Sequence, residues 1–108
     1  MQKVFPFLIL GLTCVPAILA GNVYGTIREA NQPQPNISVS LKCGSDNVRG
    51  GTDRDGVYRL FTKATGQCTI SINYGGTLIN ASVYSYDRPT AYDFDIVRQG
   101  NGWVLQRR

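Results

Sequence analysis

Apolar and polar residues alternate with a period of two over much of the chain. The clearest alternation lies in residues 23–27, 37–43 and 68–74. Successive side chains of an extended strand point to opposite faces, so this period predicts strands that are buried on one face. Shorter runs of similar character predict four further strands, at residues 57–61, 78–84, 92–96 and 103–105.

The spacing of these runs indicates the fold class. No segment after residue 20 has a helical period, and Gly, Pro, Asn and Asp separate the predicted strands. About seven short strands at regular spacing are typical of an antiparallel sandwich. We therefore predict an all-β fold, an antiparallel Greek-key β-sandwich. The step from Asp55 to Gly56, before the strand at 57–61, predicts a tight hairpin turn with positive φ.

The first 20 residues have a different pattern. Lys3 precedes an apolar run that two prolines interrupt and that ends at Ala20. A basic start, an apolar middle and a small final residue are typical of a signal peptide, which we predict at residues 1–20, with one domain at 21–108. A stable membrane span needs about 20 uninterrupted apolar residues, so we expect none here. Lipid attachment at Cys14 is the alternative for this segment.

Removal of the signal peptide leaves two cysteines, Cys43 and Cys68. They fall in the apolar phase of two different predicted strands, which predicts a disulfide in or beside the core. Closing this loop stabilises the fold by about 3 kcal/mol in the chain-entropy treatment. Disulfides persist outside the reducing cytosol, so we expect a secreted or periplasmic protein. Two buried free thiols are the alternative.

A series of short motifs runs from residue 23 to residue 72. It comprises Val-Tyr-Gly-Thr-Ile at 23–27, Ile-Ser-Val-Ser-Leu at 37–41, Thr-Asp-Arg-Asp-Gly-Val-Tyr-Arg-Leu at 52–60, then Gly66 and an alternating strand through 70–72. The series resembles the carboxypeptidase regulatory-like domain, which has a transthyretin-like (prealbumin-like) β-sandwich. The resemblance implies a small secreted accessory or binding module and specifies no mechanism.

Charge and composition argue against several functions. The chain has 11 Lys and Arg against 7 Asp and Glu, a net charge of +4, and its basic residues are scattered, so we expect no nucleic-acid partner. It contains no His, the commonest general base, and no phosphate-binding loop, so we expect no enzyme and no cofactor. Asp93 and Asp95 are either paired carboxylates or a polar outer face, and we favour the latter. Asp53 and Asp55 lack the further ligands of an EF-hand, which favours a turn over a metal site.

Tyrosines in outward positions are better candidates for binding. Tyr24, Tyr84 and Tyr86 fall in the outward phase or near a loop, and Arg88 follows the last of them. A tyrosine ring supplies both apolar area and a polar group. The alternative for Tyr84 is a core position after a one-residue register shift, because both phases of its strand are partly apolar.

These observations predict a secreted or periplasmic accessory module, without catalysis of its own, that docks a protein or cell-envelope component. A second hypothesis is a carbohydrate-binding domain that stacks sugars on the same tyrosines. A third is a secreted enzyme inhibitor that presents residues 49–55. Two Asn-x-Ser sequons, at Asn36 and Asn80, are glycosylation sites only in a eukaryotic secretory host.

Overall fold

Short turns connect the strands of residues 22–108, the part of the chain that the computed structural model describes. These residues form ten strands: β1 (Asn22–Glu29), β2 (Gln32–Pro33), β3 (Ser38–Cys43), β4 (Asp46–Gly51), β5 (Val57–Phe61), β6 (Gly66–Tyr74), β7 (Thr77–Ser85), β8 (Thr90–Ala91), β9 (Phe94–Gln99) and β10 (Gly102–Arg107). Between residues 22 and 108 there is no helix of the length and hydrophobicity needed to cross a bilayer. The predicted signal peptide lies outside the described residues.

The strands form two sheets. In the first, β1 pairs antiparallel with β5 and β2, and it pairs in parallel with β8 and β9. β10 pairs with β9 and completes this sheet. The second sheet has the order β4-β3-β6-β7 and is antiparallel throughout. β4 lies beside β5, and β7 lies beside β10, where the two sheets approach each other.

The predicted all-β sandwich is confirmed, and each of the seven predicted strands is present. Pairing is antiparallel except where β8 and β9 return beside β1. The sequence did not predict β2, β4 and β8. β2 and β8 have two residues each, too few for a periodic pattern. β4 reads Asp-Asn-Val-Arg-Gly-Gly and lies at the edge of its sheet, where Val48 alone packs on the core.

One hydrophobic core lies between the sheets and consists of the inward phase of their strands. The second sheet contributes Val39, Leu41, Cys43, Cys68, Ile70, Ile72, Ile79 and Val83, and the first contributes Val23, Ile27, Tyr58, Leu60, Tyr92, Phe94, Ile96 and Leu105. Full burial of a large apolar side chain contributes about 1.5–3 kcal/mol relative to exposure. The alternation seen in the sequence therefore follows from the two-layer packing.

Cys43 on β3 and Cys68 on β6 form the predicted disulfide, with their Cα atoms 4.4 Å apart. The register pairs Leu41 with Ile70 and Lys42 with Thr69, so the two cysteines are the next opposed pair. Both are buried in the core. The crosslink thus joins facing residues of neighbouring strands, and it is typical of proteins outside the reducing cytosol.

The turn at residues 53–56 differs from the predicted hairpin. Asp53 Oδ1 accepts the N–H groups of Asp55 and Val57 at 2.9 and 3.0 Å, which holds the pKa of Asp53 below its ordinary value of 3.8. Gly56 has the expected positive φ, 74°. The strands on either side belong to different sheets, however, so the turn carries the chain from one layer to the other. The Asp-Gly step specified the local backbone but not the pairing of its neighbours.

β1 passes very close to the segment between β8 and β9. A Cβ atom at Gly25 would lie 1.8 Å from the carbonyl oxygen of Tyr92, far inside van der Waals contact. The close approach accompanies a hydrogen bond from Tyr92 N to Tyr24 O of 2.8 Å. Only glycine permits this contact between two backbones.

Replacing both Cys43 and Cys68, which are buried, with Ala should lower the free energy of unfolding by about 3 kcal/mol, because the unfolded chain regains the entropy of the open loop and no polar atom is added to the core. Urea denaturation of the oxidised protein and the double variant measures the difference. Reductant serves as the control: it should bring the parent protein to the stability of the variant and leave the variant unchanged. Equal stabilities before reduction would contradict the prediction.

Gly25→Ala should lower the free energy of unfolding by more than about 3 kcal/mol or prevent folding, because the new methyl group meets a backbone carbonyl that cannot move aside. Gly102→Ala is the matched control, since a Cβ there meets nothing within 4 Å. Thermal unfolding followed by circular dichroism compares the two. The close-approach argument fails if both variants melt at the same temperature.

Candidate functional site

Tyr84 and Tyr86 lie at the end of β7 and just beyond it, on the outer side of the second sheet. β7 directs Ile79 and Val83 into the core, which leaves Tyr84 in the outward phase with 47% of its surface exposed. Tyr86 is 41% exposed, and the two ring centroids are 5.6 Å apart with the planes inclined at 36°. The register shift considered for Tyr84 does not occur, and the two rings form a continuous exposed aromatic area.

Arg88 extends this area. Its Cζ atom lies 5.5 Å from the centroid of the Tyr86 ring. A guanidinium over an aromatic face is attracted by the quadrupole of the ring, by about 0.5–1 kcal/mol at exposed sites. The structure therefore brings together three of the four residues that the sequence predicted for binding.

Tyr92, which is buried, supports these residues from below. Its hydroxyl accepts the N–H of Tyr84 and donates to the carbonyl oxygen of the same residue, both at 3.0 Å. Its own carbonyl accepts a 2.6 Å hydrogen bond from the hydroxyl of Tyr58, a group whose pKa is raised mainly by burial. Tyr92 thus fixes the outer end of β7 to the opposite sheet.

Arg107, at the end of β10, completes the arrangement. Its Cζ atom lies 4.6 Å from the centroid of Tyr92. Arg107 was not predicted from the sequence as a site residue. It lies 15 positions after Tyr92, and only the fold brings β10 beside β7. We refer to Tyr84, Tyr86, Arg88, Tyr92 and Arg107 together as the tyrosine surface.

Two shallow depressions flank the exposed tyrosines, and Tyr84 and Tyr86 line both. The first measures ≈ 370 Å³ and is also lined by Gln67, Ser82, Val83, Tyr92 and Arg107. The second measures ≈ 390 Å³ and is also lined by Thr65, Gly66, Ser85 and Asp87. Each combines an aromatic wall with polar groups, an arrangement suited to side-chain or sugar-ring recognition.

Tyr24 does not join this surface. It lies on β1, where its neighbours across the first sheet are Arg59 on β5 and Ala91 on β8. The inward phase of β1 is that of Val23 and Ile27, so Tyr24 projects from the outer face of the first sheet and is 37% exposed. It therefore belongs to a different face of the sandwich from Tyr84.

Asp93 and Asp95 hold backbone and side chains of the first sheet together. Asp93 Oδ1 accepts the N–H and the hydroxyl of Thr26, each at 2.9 Å. Arg108 donates to the Thr26 hydroxyl at 2.8 Å and pairs with Asp95 Oδ1 at 3.0 Å. The two carboxylates thus have separate structural partners. No group of three metal-ligating side chains occurs within residues 22–108.

A second aromatic cluster lies near the start of β10. The rings of Tyr74 and Trp103 meet edge to face at 5.2 Å, and Arg98 Cζ lies 4.9 Å from the Trp103 centroid. Tyr74 donates a 2.8 Å hydrogen bond to Glu29, which raises the pKa of the tyrosine. Glu29, Asp95 and Arg98 line a depression of ≈ 380 Å³ beside it, so acidic and basic groups are mixed there.

Tyr92→Phe should lower the free energy of unfolding by about 1–2 kcal/mol, because two backbone groups of Tyr84 lose their partner while the ring beneath Arg107 stays. Amide hydrogen exchange should accelerate most at Tyr84. Tyr24→Phe is the matched control, since it removes a hydroxyl from the outer face of the first sheet. Unchanged exchange at Tyr84 in Tyr92→Phe would disprove the supporting role of this hydroxyl.

Comparison with known proteins identifies the fold. No protein-family model matches the chain, and no curated protein matches it in sequence. A 5-hydroxyisourate hydrolase of Klebsiella pneumoniae has a similar structure, with a TM-score of 0.63 and 16% sequence identity over 82% of this chain and 98% of that one. A 9R-lipoxygenase from Cyanothece PCC8801 matches 88% of this chain and 17% of its own at 16% identity, with a TM-score of 0.39, which is too low to indicate a shared fold.

The similarity to the hydrolase supports the transthyretin-like β-sandwich and corrects one expectation. We expected no enzyme from the lack of histidine and of known catalytic motifs. The hydrolase shows that this fold also occurs in an enzyme, so the fold gives no ground for excluding catalysis in this chain. At 16% identity the similarity extends to the fold alone.

Proposed function

We propose that residues 21–108 form a secreted or periplasmic binding domain that docks a protein or cell-envelope component on the tyrosine surface. One observation carries the proposal: Tyr84 and Tyr86 expose 47% and 41% of their surfaces, side by side, above a fully hydrogen-bonded support. Tyrosine and arginine are enriched among the residues that contribute most to binding energy in protein interfaces.

The support beneath the surface favours a binding role on energetic grounds. Binding costs about 0.5–1.5 kcal/mol for each flexible side chain that becomes fixed. Tyr92 already fixes the backbone of Tyr84, and the contacts of Arg88 and Arg107 with aromatic rings restrict both guanidinium groups. A partner therefore meets a surface that is largely ordered before contact.

We also propose that this β-sandwich is a domain of the carboxypeptidase regulatory-like kind. Its support is that the motif residues have definite structural roles. Gly25 permits the contact with Tyr92, Gly56 has positive φ in the turn between the sheets, and Tyr58 donates to the carbonyl of Tyr92.

The extracytoplasmic location is supported by two independent features. The disulfide between Cys43 and Cys68 is stable in oxidising compartments and rare in the cytosol. Residues 1–20 have the composition of an export signal. A partner is accordingly sought among envelope and secreted components.

Carbohydrate binding is the second candidate, and the first depression favours it. Gln67 and Ser82 line that depression beside Tyr84, so hydrogen-bonding groups lie next to an aromatic ring. Sugars are recognised by this combination, because one ring face covers their C–H groups while polar side chains bind hydroxyls. The two candidates share Tyr84 and differ in the chemistry of the partner.

Tyr84→Ala and Tyr86→Ala should each weaken partner binding by about 2 kcal/mol, or roughly thirtyfold in Kd, as expected for central aromatic residues. Immobilised domain is exposed to envelope extract of the producing organism, and retained proteins are quantified by mass spectrometry. Tyr24→Ala is the matched control, because it removes an exposed tyrosine from the other face. Thermal unfolding verifies that all variants fold.

Three results discriminate between the candidates. A stoichiometric protein that the parent and Tyr24→Ala retain, and that Tyr84→Ala loses, supports protein docking. Saturable binding on a glycan array that is lost only in Tyr84→Ala and Tyr86→Ala supports carbohydrate binding instead. Equal retention of every ligand by all variants would refute a role for the tyrosine surface.

A further inference from the structure

Arg88 and Arg107 each contact an aromatic ring, and neither forms an ion pair within 4.0 Å among residues 22–108. Their Cζ atoms lie 5.5 Å from the centroid of Tyr86 and 4.6 Å from that of Tyr92, respectively. Among residues 22–108, the ion pair within 4.0 Å is formed by Arg108 and Asp95, on the outer face of the first sheet. Stacking restrains a guanidinium group but leaves N–H donors at its edge available to a ligand.

The two depressions of the tyrosine surface differ in charge. Arg107 is the charged residue of the first, and no carboxylate lines it. Asp87 lines the second. By contrast, the depression beside Trp103 contains Glu29 and Asp95 as well as Arg98, so carboxylates would repel an incoming anion there. The first depression thus presents a positive charge with no carboxylate in its lining.

We propose that the partner presents an acidic, extended polypeptide segment, with a carboxylate in the first depression against Arg107. This rests on the proposed binding role of the tyrosine surface and specifies its ligand. The carboxylate accepts hydrogen bonds from the guanidinium, a charge-assisted interaction stronger than one between neutral groups. A neighbouring uncharged side chain of the segment enters the second depression, where Asp87 disfavours a second carboxylate.

The shape of the surface favours a polypeptide over a sugar. The rings of Tyr84 and Tyr86 are inclined at 36°, so one pyranose ring cannot lie parallel to both. The two rings instead separate two depressions of similar size. Alternate side chains of an extended strand are about 6.5–7 Å apart and follow one face, which suits a chain that crosses the rings and places a side chain on each side.

Fluorescence anisotropy tests the proposal with defined probes. A labelled ten-residue peptide with Glu at every fourth position and Ser elsewhere, so that Glu and Ser alternate along one face of the extended chain, is titrated with the oxidised full domain. The matching peptide with Gln in place of Glu and labelled polygalacturonate are titrated alongside it. The acidic peptide should bind, the neutral one should bind at least about fivefold more weakly, and added salt should reduce the difference.

Variants locate the interaction. Arg107→Gln should weaken binding of the acidic peptide by about fivefold or more, Arg107→Lys by less, and Asp87→Asn should strengthen it. Arg54→Gln, in the exposed turn between the sheets, is the matched control and should leave binding unchanged. Arg107→Lys retains the positive charge, so comparing it with Arg107→Gln distinguishes the effect of losing the charge from the effect of disturbing Tyr92. Unfolding curves confirm that each variant folds.

The outcomes separate this proposal from the one on which it rests. Binding of the acidic peptide that requires Arg107 and Tyr84 supports both. Binding of polygalacturonate but not of the peptide overturns the polypeptide class. Failure of all probes, or equal effects of Arg107→Gln and Arg54→Gln, overturns the acidic partner, while Tyr84-dependent capture from envelope extract would still uphold the proposed function.

Discussion

The position of Tyr92 is the constraint on which the surrounding structure depends. Its backbone bonds to β1 through Tyr24, its carbonyl accepts the hydroxyl of Tyr58 on β5, and its own hydroxyl bonds to Tyr84 on β7. The absence of a Cβ at Gly25 makes the first contact possible. Tyr92 thus connects β1, β5 and β7, which belong to both sheets, and the lack of a side chain at Gly25 leaves room for its backbone beside β1.

This arrangement also determines how β7 can take part in recognition. An edge strand normally offers N–H and C=O groups for pairing with another chain. At Tyr84 the hydroxyl of Tyr92 occupies both groups, and β10 lies beside the same strand. In the proposed docking, contacts at this end of the sandwich would therefore be made by side chains, among which Tyr84 and Tyr86 are exposed.

Much of the fold follows from local sequence, whereas the site follows from it only in part. Period-two alternation was sufficient to predict seven strands and the inward position of both cysteines, because burial of one face of a strand imposes that pattern directly. Edge strand β4 was missed since a single side chain, Val48, packs inward. The hairpin predicted at residues 53–56 was wrong, because the Asp-Gly step determines local φ and not the sheet to which the next strand belongs.

The same limit applies to the site residues. Tyr84, Tyr86 and Arg88 are close in sequence, so their proximity was accessible to sequence reasoning. Arg107 joins them only through the pairing of β10 with β9 and its position beside β7.

Two arginine–aromatic contacts, each with one member on β10, show why a motif alone does not identify a binding site. Arg98 on Trp103 and Arg107 on Tyr92 have similar geometry, 4.9 and 4.6 Å from Cζ to centroid. Acidic side chains accompany only the first. Both arginines are exposed, so water solvates them and neither requires a counter-charge for folding. The difference between them lies in what an incoming anion would meet, which is repulsion by carboxylates beside Arg98 and none in the depression of Arg107.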